Sequence, residues 1–413
     1  LMAKNRVIFL NSIFPVLSET FLFSQYTKML DEGMAMDLVS SHRPDASQVH
    51  PGMESVQKQV DYLCDAGAAE VASAHLHCLL KYPTGYLRSL AGMFSVKEKP
   101  VTTLKHISGA ALTLKRYADS SEPRWVHSHF TYGATSIAMW MKRIAGLPFS
   151  LTLHGSDLTF DNPPDLEKKL EEADLVVCIS QYNVDYVKEH FPTVMEDKLV
   201  VLPLGVAPLA EAPTPQVYDS NRPLRMLSVG RLSTQKAQEY LVRACAQLRD
   251  KGLSFECLLV GEGPQREFIE SEVQRLGLQA EVKLLGARYH SDVLEMYKEA
   301  DLFVMSSVAE GMPIVLMEAM QAGVPVLSTA ISGIPELLDY GKAGILVPPA
   351  SDDALADSME AVIKGEIDLE ELRQQAIEHI AQSFDQGKNA VRFQHLLENR
   401  GIAEEKVASR VTN

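Results

Sequence analysis

Short runs of apolar and β-branched residues recur along the chain, separated by stretches long enough for helices. The runs are continuous rather than alternating, which is typical of strands buried on both faces of a parallel sheet. Strands that alternate with helices in this way predict an α/β fold with doubly wound sheets. The predicted strands are Val7–Leu10, Trp125–His127, Phe149–Leu153, Leu175–Ile179 and Leu199–Leu202 in the first half, and Met226–Val229, Cys257–Val260, Val282–Leu285, Leu302–Met305, Val324–Ser328 and Ile345–Val347 in the second.

The alternation breaks between residues 206 and 223, where four prolines fall in a segment with little apolar periodicity. Such a segment is typical of a linker. We therefore expect an N-terminal domain over 1–205, a linker over 206–223 and a C-terminal domain over 224–383. The remainder, 384–413, is expected to form a helix that packs back toward the N-terminal domain. Two doubly wound domains would face a central cleft at the carboxyl ends of their strands, where ligands bind in such folds.

Charge and cysteine content narrow the class of protein. The formal net charge of −15 argues against nucleic acid as the main partner, because binding to phosphates needs a basic surface. The five cysteines are odd in number and form no C-x-x-C pair, so we expect a reduced, cytoplasmic protein without a zinc site. The apolar run at Val7–Leu10 stops at Asn11, which favours a first strand over a signal peptide.

The segment from Glu310 to Glu318 is the most informative one for chemistry. Pro313 suits the first position of a helix, which places Glu310 in the preceding loop and Glu318 on the helix. A helix N-terminus binds phosphate through free N–H groups and its dipole, and acids nearby can accept hydrogen bonds from sugar hydroxyls. Taken alone, the segment is equally compatible with a helix that has favourable acids near its start.

Two further motifs follow predicted strands. Arg231 and Lys236 come directly after the first strand of the second half, and two cations there can neutralise a diphosphate; an isolated pair of this kind is more typical of solvated surface charges. His154 begins the run His-Gly-Ser-Asp that ends at Asp157, at the carboxyl end of Phe149–Leu153. The plain alternative is a turn histidine with Asp157 as a helix cap.

Together, in this order, the three motifs resemble those of the family 4 retaining glycosyltransferases, which have the GT-B fold. That family carries an H-G-x-D element, a G-R-L…K element and an E-x7-E element, here at His154–Asp157, Gly230–Lys236 and Glu310–Glu318. The opening segment Phe14–Phe21 is similar to members that build bacterial exopolysaccharides, such as those of the colanic-acid type. The resemblance covers nearly the whole chain and implies two Rossmann-like domains.

The resemblance also implies roles for individual residues. Arg231 and Lys236 would hold the donor diphosphate, Glu318 the ribose, and Glu310 the transferred sugar, while His154 would face the reacting carbon. The donor-binding segment would also include Gly311, Met312, Pro313 and Ile314. The sequence departs from the family pattern in two places: Ala237 stands where glycine is usual, and the loop after the first strand lacks paired glycines, so that Ser18 is a candidate substitute.

Weaker candidates for residues lining the expected cleft are Ser18, His129, Asp157, Ser180, Gly261 and Arg288. His127 and His129 alternate with Ser128, so both should face one side of a strand end. This H-x-H pair has no accompanying carboxylate cluster, and we interpret His129 as a binding residue rather than a metal ligand. We expect no metal and no cofactor.

The resemblance implies a metal-independent hexosyltransferase that moves a sugar from a nucleotide-diphosphate sugar, with a UDP-sugar favoured over a GDP-sugar, to a saccharide or lipid-linked saccharide. Catalysis would rest on charge stabilisation of the leaving diphosphate. The alternatives are a nucleotide-sugar epimerase or a sugar phosphorylase of the same fold, and a non-catalytic binding protein.

Residues 81–116 contain seven basic residues and one acid, Glu98, interleaved with apolar and aromatic residues. Such a segment suits an anionic lipid surface and predicts peripheral contact with the inner face of the membrane. The plain alternative is a solvated helix face that covers the N-terminal sheet.

Overall fold

The computed structural model describes residues 6–16, 19–45, 49, 52–117, 124–161, 163–209 and 218–411, with side chains described as far as residue 398. The chain divides into two compact units. Unit 1 comprises Leu1–Leu202 and Gly387–Asn413, and unit 2 comprises Pro203–Gln386.

Unit 1 contains a seven-stranded parallel sheet with the strand order β3-β2-β1-β4-β5-β6-β7. The order reverses between β1 and β4, which is the topological switch point of a doubly wound sheet. In register, Leu10 of β1 lies beside Ser128 of β4. The strands are β1 (Arg6–Ile13), β2 (Met36–His42), β3 (Val60–Tyr62), β4 (Arg124–His129), β5 (Phe149–Leu153), β6 (Leu175–Cys178) and β7 (Leu199–Val201).

Helices cover both faces of this sheet, so most residues of its central strands are buried, including the polar His127, Ser128 and His129 of β4. The C-terminal helix contributes Ala390, Phe393 and Leu397 to one face, where they pack with Val7 and Phe9. The helices of unit 1 are α1 (Thr20–Asp31), α2 (Glu54–Gln57), α3 (Ala68–Lys81), α4 (Pro83–Gly92), α5 (Pro100–Tyr117), α6 (Gly133–Ala145), α7 (Ser156–Thr159), α8 (Leu166–Glu172) and α9 (Gln181–His190), with α17 (Gln386–Val411) at the end of the chain.

Unit 2 repeats the plan with a six-stranded parallel sheet in the order β10-β9-β8-β11-β12-β13. Its switch point lies between β8 and β11. The strands are β8 (Leu224–Val229), β9 (Phe255–Val260), β10 (Val282–Gly286), β11 (Leu302–Met305), β12 (Val326–Thr329) and β13 (Ile345–Val347), and the helices are α10 (Gln238–Asp250), α11 (Arg266–Arg275), α12 (His290–Glu299), α13 (Ile314–Gln321), α14 (Ile334–Leu337), α15 (Asp352–Ile363) and α16 (Leu369–Ser383).

The α/β class and the two doubly wound sheets confirm the fold predicted from the sequence. Every predicted strand is present, but β2 and β3 were missed. Strand β2 ends in the polar run Ser40-Ser41-His42, and β3 has only three residues at the edge of its sheet. Neither gives the continuous apolar pattern that identifies a central strand.

Candidate active site

The switch point of unit 2 brings two of the predicted motifs together. The loop after β8 carries Arg231 and Lys236, and the loop after the neighbouring strand β11 carries Glu310. Lys236 Nζ lies 2.5 Å from Glu310 Oε1, and Ser307 Oγ donates to the same oxygen at 2.7 Å. Because a lysine ammonium has three donors, one bond to Glu310 leaves capacity for an anionic ligand.

The loop after β11 holds the backbone of Gln235 and Lys236 in place. Ser306 Oγ donates to the Lys236 carbonyl at 3.2 Å, and Val308 N–H donates to the Gln235 carbonyl at 2.8 Å. The Lys236 and Glu310 side chains are 23% and 11% exposed. They therefore form a positioned, half-buried ion pair. Arg231, by contrast, has an exposed side chain.

Two glycines allow the loop after β9 to pack closely against the loop after β8. A Cβ at Gly261, whose φ is +143°, would lie 1.9 Å from the Gly230 carbonyl oxygen, and one at Gly263 would lie 2.2 Å from that of Leu232. The close approach explains these glycines through packing, and a ligand role for Gly261 stays a prediction. Ala237 has a φ of +49°, which accounts for glycine being usual at this position.

Glu318 lies on α13 and has two partners that the sequence motifs did not predict. His290 Nε2 lies 2.9 Å from Glu318 Oε1, and the Tyr297 hydroxyl donates to Oε2 at 3.3 Å. The hydrogen bond to Glu318 raises the pKa of His290. Both partners come from α12, and Arg288 is exposed in the loop just before it. No local sequence signal points to them, because their contact depends on how two helices pack.

The segment from Gly311 to Ile314 leads into α13. Pro313 is the N-cap, with an extended backbone, and the helix begins at Ile314. The expectation that Pro313 occupies the first helical position was therefore wrong by one residue. The Gly311 carbonyl accepts from Gly333 N–H at 3.3 Å, and Met312 is buried. The first N–H groups of α13 have no acceptor within a helix, so this end is suited to negative charge.

In unit 1, the His154 motif forms a tight turn after β5. Gly155 has a φ of +95°, which favours glycine. His154 N–H donates to Asp157 Oδ1 at 2.9 Å, so Asp157 fixes the turn from within the first turn of α7. Burial raises the pKa of Asp157 to about 7. Its Oδ2 is buried without a hydrogen-bond partner among the described residues.

His154 and His129 are joined side chain to side chain. His129 Nδ1 lies 3.0 Å from His154 Nε2, and the rings of Phe130 and Phe21 pack against His154 with centroids 4.1 Å and 5.2 Å away. Burial lowers the pKa of His154 to about 3 and that of His129 well below its ordinary value. Both imidazoles are therefore neutral near pH 7.

The neutral pair favours one tautomer. Within the described part of the chain, His129 Nε2 is buried and has no partner. A buried N–H without an acceptor is costlier than an acceptor without a donor, so His129 Nε2 is best left unprotonated. His129 Nδ1–H then donates to His154 Nε2, and the His154 proton lies on Nδ1.

His127 extends this group into the core. Its Nδ1 lies 2.7 Å from Ser150 Oγ, and its Nε2 lies 3.1 Å from Thr152 Oγ1. Its ring centroid is 4.9 Å from that of His129, as expected for side chains on one face of β4. Burial lowers the pKa of His127 to about 3. Among the described residues, no three His, Cys, Asp or Glu side chains are grouped to hold a metal ion.

Two candidates remain in unit 1. Ser180 is buried and caps α9 by accepting from Asn183 N–H at 3.2 Å, so its side chain has a structural partner. Ser18 lies outside the described residues. Its neighbour Glu19 was not predicted as a site residue, but burial raises its pKa to about 7.

Comparison with known proteins identifies the family. Residues 60–208 match the model for Glycosyltransferase Family 4, and residues 215–381 match the model for Glycosyl transferases group 1. WcaL of Salmonella typhimurium, assigned to colanic acid biosynthesis as a glycosyltransferase, is 27% identical over 90% of this chain and 94% of its own. The amylovoran biosynthesis glycosyltransferase AmsK of Erwinia amylovora is 26% identical over 88% and 92%.

Solved structures show the same fold. Sucrose-phosphate synthase from Thermosynechococcus elongatus superposes with a TM-score of 0.71 at 19% identity, over 97% of this chain and 100% of that one. HepE of Anabaena, solved with UDP and glucose, gives a TM-score of 0.66 at 18% identity, over 96% and 100%.

The sheets, the ordered motifs and the family matches define the chain as a glycosyltransferase of the GT-B fold that belongs to family 4. Its full-length relatives place it more narrowly. It is a glycosyltransferase of the exopolysaccharide type, acting in polysaccharide biosynthesis, which confirms the family predicted from the sequence.

Proposed function

We propose that this enzyme transfers a hexose from a nucleotide-diphosphate sugar to a saccharide or lipid-linked saccharide acceptor, with retention of anomeric configuration. The observation that carries the proposal is the Lys236–Glu310 pair at the switch point of unit 2, next to the segment that opens helix α13. A fixed cation and a helix N-terminus are the elements that stabilise a leaving diphosphate.

Unit 2 binds the donor. Lys236 and Arg231 neutralise the diphosphate, and Glu318 accepts hydrogen bonds from the ribose hydroxyls. The bonds from His290 and Tyr297 support the second role, because they hold the Glu318 carboxylate in one orientation. A UDP-sugar is the favoured donor, and HepE, which shares the fold, has been solved with UDP-glucose. We assign Arg288 to a contact with the base.

Glu310 and the segment Gly311–Ile314 bind the transferred sugar, and His154 contacts it near the reacting carbon. The tautomer assigned above would give His154 an Nδ1–H that donates to a sugar hydroxyl. Since His154 and His129 are neutral, this contact supplies a hydrogen bond and not a charge. His129 acts through His154 and is a positioning residue.

Transfer proceeds on the face from which the diphosphate leaves. The bond between the anomeric carbon and the phosphate oxygen breaks, the acceptor oxygen bonds to that carbon, and the acceptor proton passes to the leaving phosphate oxygen. No carboxylate is assigned as a nucleophile, since Glu310 is already bound to Lys236. The protein contributes positioning and charge stabilisation, and the reaction needs no metal or cofactor.

The proposed location is the cytoplasm, with peripheral contact between residues 81–116 and the inner face of the membrane. None of the described helices is long and apolar enough to cross a bilayer. A lipid-linked acceptor would be presented at that face.

A product assay separates this function from the epimerase and phosphorylase alternatives. The protein is incubated with UDP-, GDP- and ADP-sugars and an acceptor in the presence of EDTA, and the anomeric configuration of the product is read by proton NMR. We expect release of nucleotide diphosphate and an anomeric configuration that matches the donor. An inverted product, a sugar changed without release of nucleotide, or activity lost to EDTA and restored by manganese would contradict the proposal.

A further inference from the structure

Exposed apolar side chains are concentrated on three helices of unit 1 and on the turn that follows the second of them. Among the described residues, seven of the sixteen exposed large hydrophobic side chains lie between positions 76 and 104, and Phe94, Leu80 and Val101 are 77%, 74% and 70% exposed. Single exposed apolar residues are ordinary, but a cluster marks an interaction surface. The seven are Leu76, Leu79, Leu80, Leu87, Phe94, Val101 and Leu104.

Hydrogen bonds tie these helices into one surface. His75 on α3 lies 2.8 Å from the Tyr86 hydroxyl on α4 and 2.9 Å from Ser108 Oγ on α5. Leu79 follows His75 by four residues, and Leu104 precedes Ser108 by four, so each lies on the same side of its helix as the bonded residue. The bonds bring α3, α4 and α5 side by side. We name their exposed residues between 76 and 105, together with the turn after α4 that carries Phe94, the three-helix face.

The three-helix face is basic as well as apolar. Lys81, Arg88, Lys97, Lys99 and Lys105 are exposed along it. The acid in this stretch, Glu98, points inward: its side chain is 8% exposed and lies 2.8 Å from His106 Nδ1.

Two of the basic residues between positions 81 and 116 do not belong to the three-helix face. Arg116 forms ion pairs with Asp61 and Glu70, and Lys115 donates to Ser73 Oγ at 2.9 Å. Both lie at the end of α5 far from Val101 and Leu104. The face is thus shifted relative to 81–116: it gains Leu76, Leu79 and Leu80 and loses the end of α5.

We propose that the three-helix face docks on an anionic phospholipid bilayer, with Leu80, Phe94 and Val101 entering the acyl boundary and the lysines contacting the headgroups. Exposed apolar side chains surrounded by basic ones are the combination that such interfaces bind. The whole chain carries −15, so the rest of the surface is repelled from the bilayer and the protein binds in one orientation. A second copy of the chain fits less well, since two copies of the face would oppose like charges.

The inference refines the membrane contact within the proposed function, but its test uses no nucleotide sugar. Failure of lipid binding therefore leaves the transfer reaction intact, and failure of transfer leaves lipid binding intact. The full chain is sedimented with vesicles of phosphatidylcholine alone and with vesicles containing 30% phosphatidylglycerol (about one lipid in three, enough to give the negative surface potential that attracts basic segments).

Two variants separately remove apolar and basic side chains of the three-helix face. Leu80→Ser with Phe94→Ser removes apolar contact, and Lys97→Gln, Lys99→Gln and Lys105→Gln together remove three charges. Each lysine near an anionic surface contributes about fivefold to partitioning, so the triple variant should bind about 100-fold more weakly. The matched controls are Met195→Ser with Phe268→Ser, and Lys188→Gln with Lys298→Gln and Lys342→Gln, all at exposed positions outside the three helices.

We expect the wild type and both controls to bind the anionic vesicles at low salt and to be released at about 1 M salt, where charges are screened. Both face variants should lose binding while keeping the wild-type melting temperature. Absence of low-salt binding, equal binding to phosphatidylcholine, or wild-type binding by either face variant would overturn the proposal. So would a wild-type dimer that Leu80→Ser with Phe94→Ser dissociates, because a second copy would then cover the face.

Discussion

The two units present different electrostatic environments near the carboxyl ends of their parallel strands. At the switch point of unit 2, Lys236 and Glu310 form a half-buried ion pair. At the strand ends of unit 1, His127, His129 and His154 are buried and neutral, because burial lowers the pKa of each. Both groups follow parallel strands, so the fold alone does not determine the charge of a site.

Burial and partners explain the difference. Lys236 Nζ has a carboxylate partner at 2.5 Å, and solvent still reaches the pair. The histidines have hydroxyls, another imidazole and aromatic rings as neighbours, and none of these offsets the cost of burying a cation. A charged site suits a diphosphate and a neutral one suits hydroxyl groups. We therefore propose that unit 2 binds the diphosphate and that the histidines of unit 1 contact sugar hydroxyl groups.

The largest effect is expected at the charged site. Replacing Lys236 with alanine should lower turnover by about 100-fold or more, because it removes the donor that we assign to the leaving diphosphate and leaves Glu310 without its ion-pair partner. Steady-state release of nucleotide diphosphate measures it. Lys298→Ala, at a surface lysine of the same unit, should keep wild-type turnover, and comparable rates in the two variants would remove Lys236 from the mechanism.

The buried neutral histidines should affect how the free energy of unfolding depends on pH. His127 stays neutral in the folded state, with a pKa of about 3, whereas the unfolded chain takes up a proton below about pH 6.5. Its contribution to stability is therefore full above pH 6.5 and is lost as the pH falls toward 3. In His127→Gln, the free energy of unfolding lost between pH 7 and pH 5 should be smaller by about 2 kcal/mol than in the wild type.

Urea unfolding at pH 7 and at pH 5 measures the free energy of unfolding that each protein loses between the two pH values. This loss can be compared even if the substitution itself destabilises the protein at pH 7. The control is His190→Gln, at an exposed position, which should keep the wild-type difference. If His127→Gln loses as much free energy of unfolding between pH 7 and pH 5 as the wild type does, His127 is protonated or solvated in the native protein.

The smallest effect separates two acids of unit 2. Glu318→Gln should weaken binding of nucleotide diphosphate by about tenfold, the size expected for a lost hydrogen bond to a charged group, because Glu318 is assigned to the ribose. Glu310→Gln should leave that affinity within about twofold and impair transfer instead. Isothermal titration with free UDP compares them, and equal losses of affinity would refute the separate roles.

The sequence predicted what depends on continuous apolar runs and short motifs. The central strands were predicted from their apolar runs, and the segments that carry Lys236 and Glu310 were predicted to follow strands, as they do. The partners His290 and Tyr297 could not be predicted, because their contacts to Glu318 depend on the packing of α12 against α13.

Other features depend on the tertiary structure. The neutrality of the histidines depends on burial, which no spacing reveals, and Gly261 was predicted as a binding residue although its packing against Gly230 already requires glycine. The three-helix face could not be predicted either, because only the bonds from His75 to Tyr86 and Ser108 reveal that α3, α4 and α5 lie side by side.

The most direct test of the central claim is a titration of UDP into two double variants, one from each site. Arg231→Ala with Lys236→Ala removes the charged site of unit 2, and His129→Ala with His154→Ala removes the neutral site of unit 1. The account predicts that the first weakens UDP binding by about 100-fold or more, while the second leaves it within about twofold of the wild type. Wild-type affinity in the first variant, or a loss confined to the second, would contradict it.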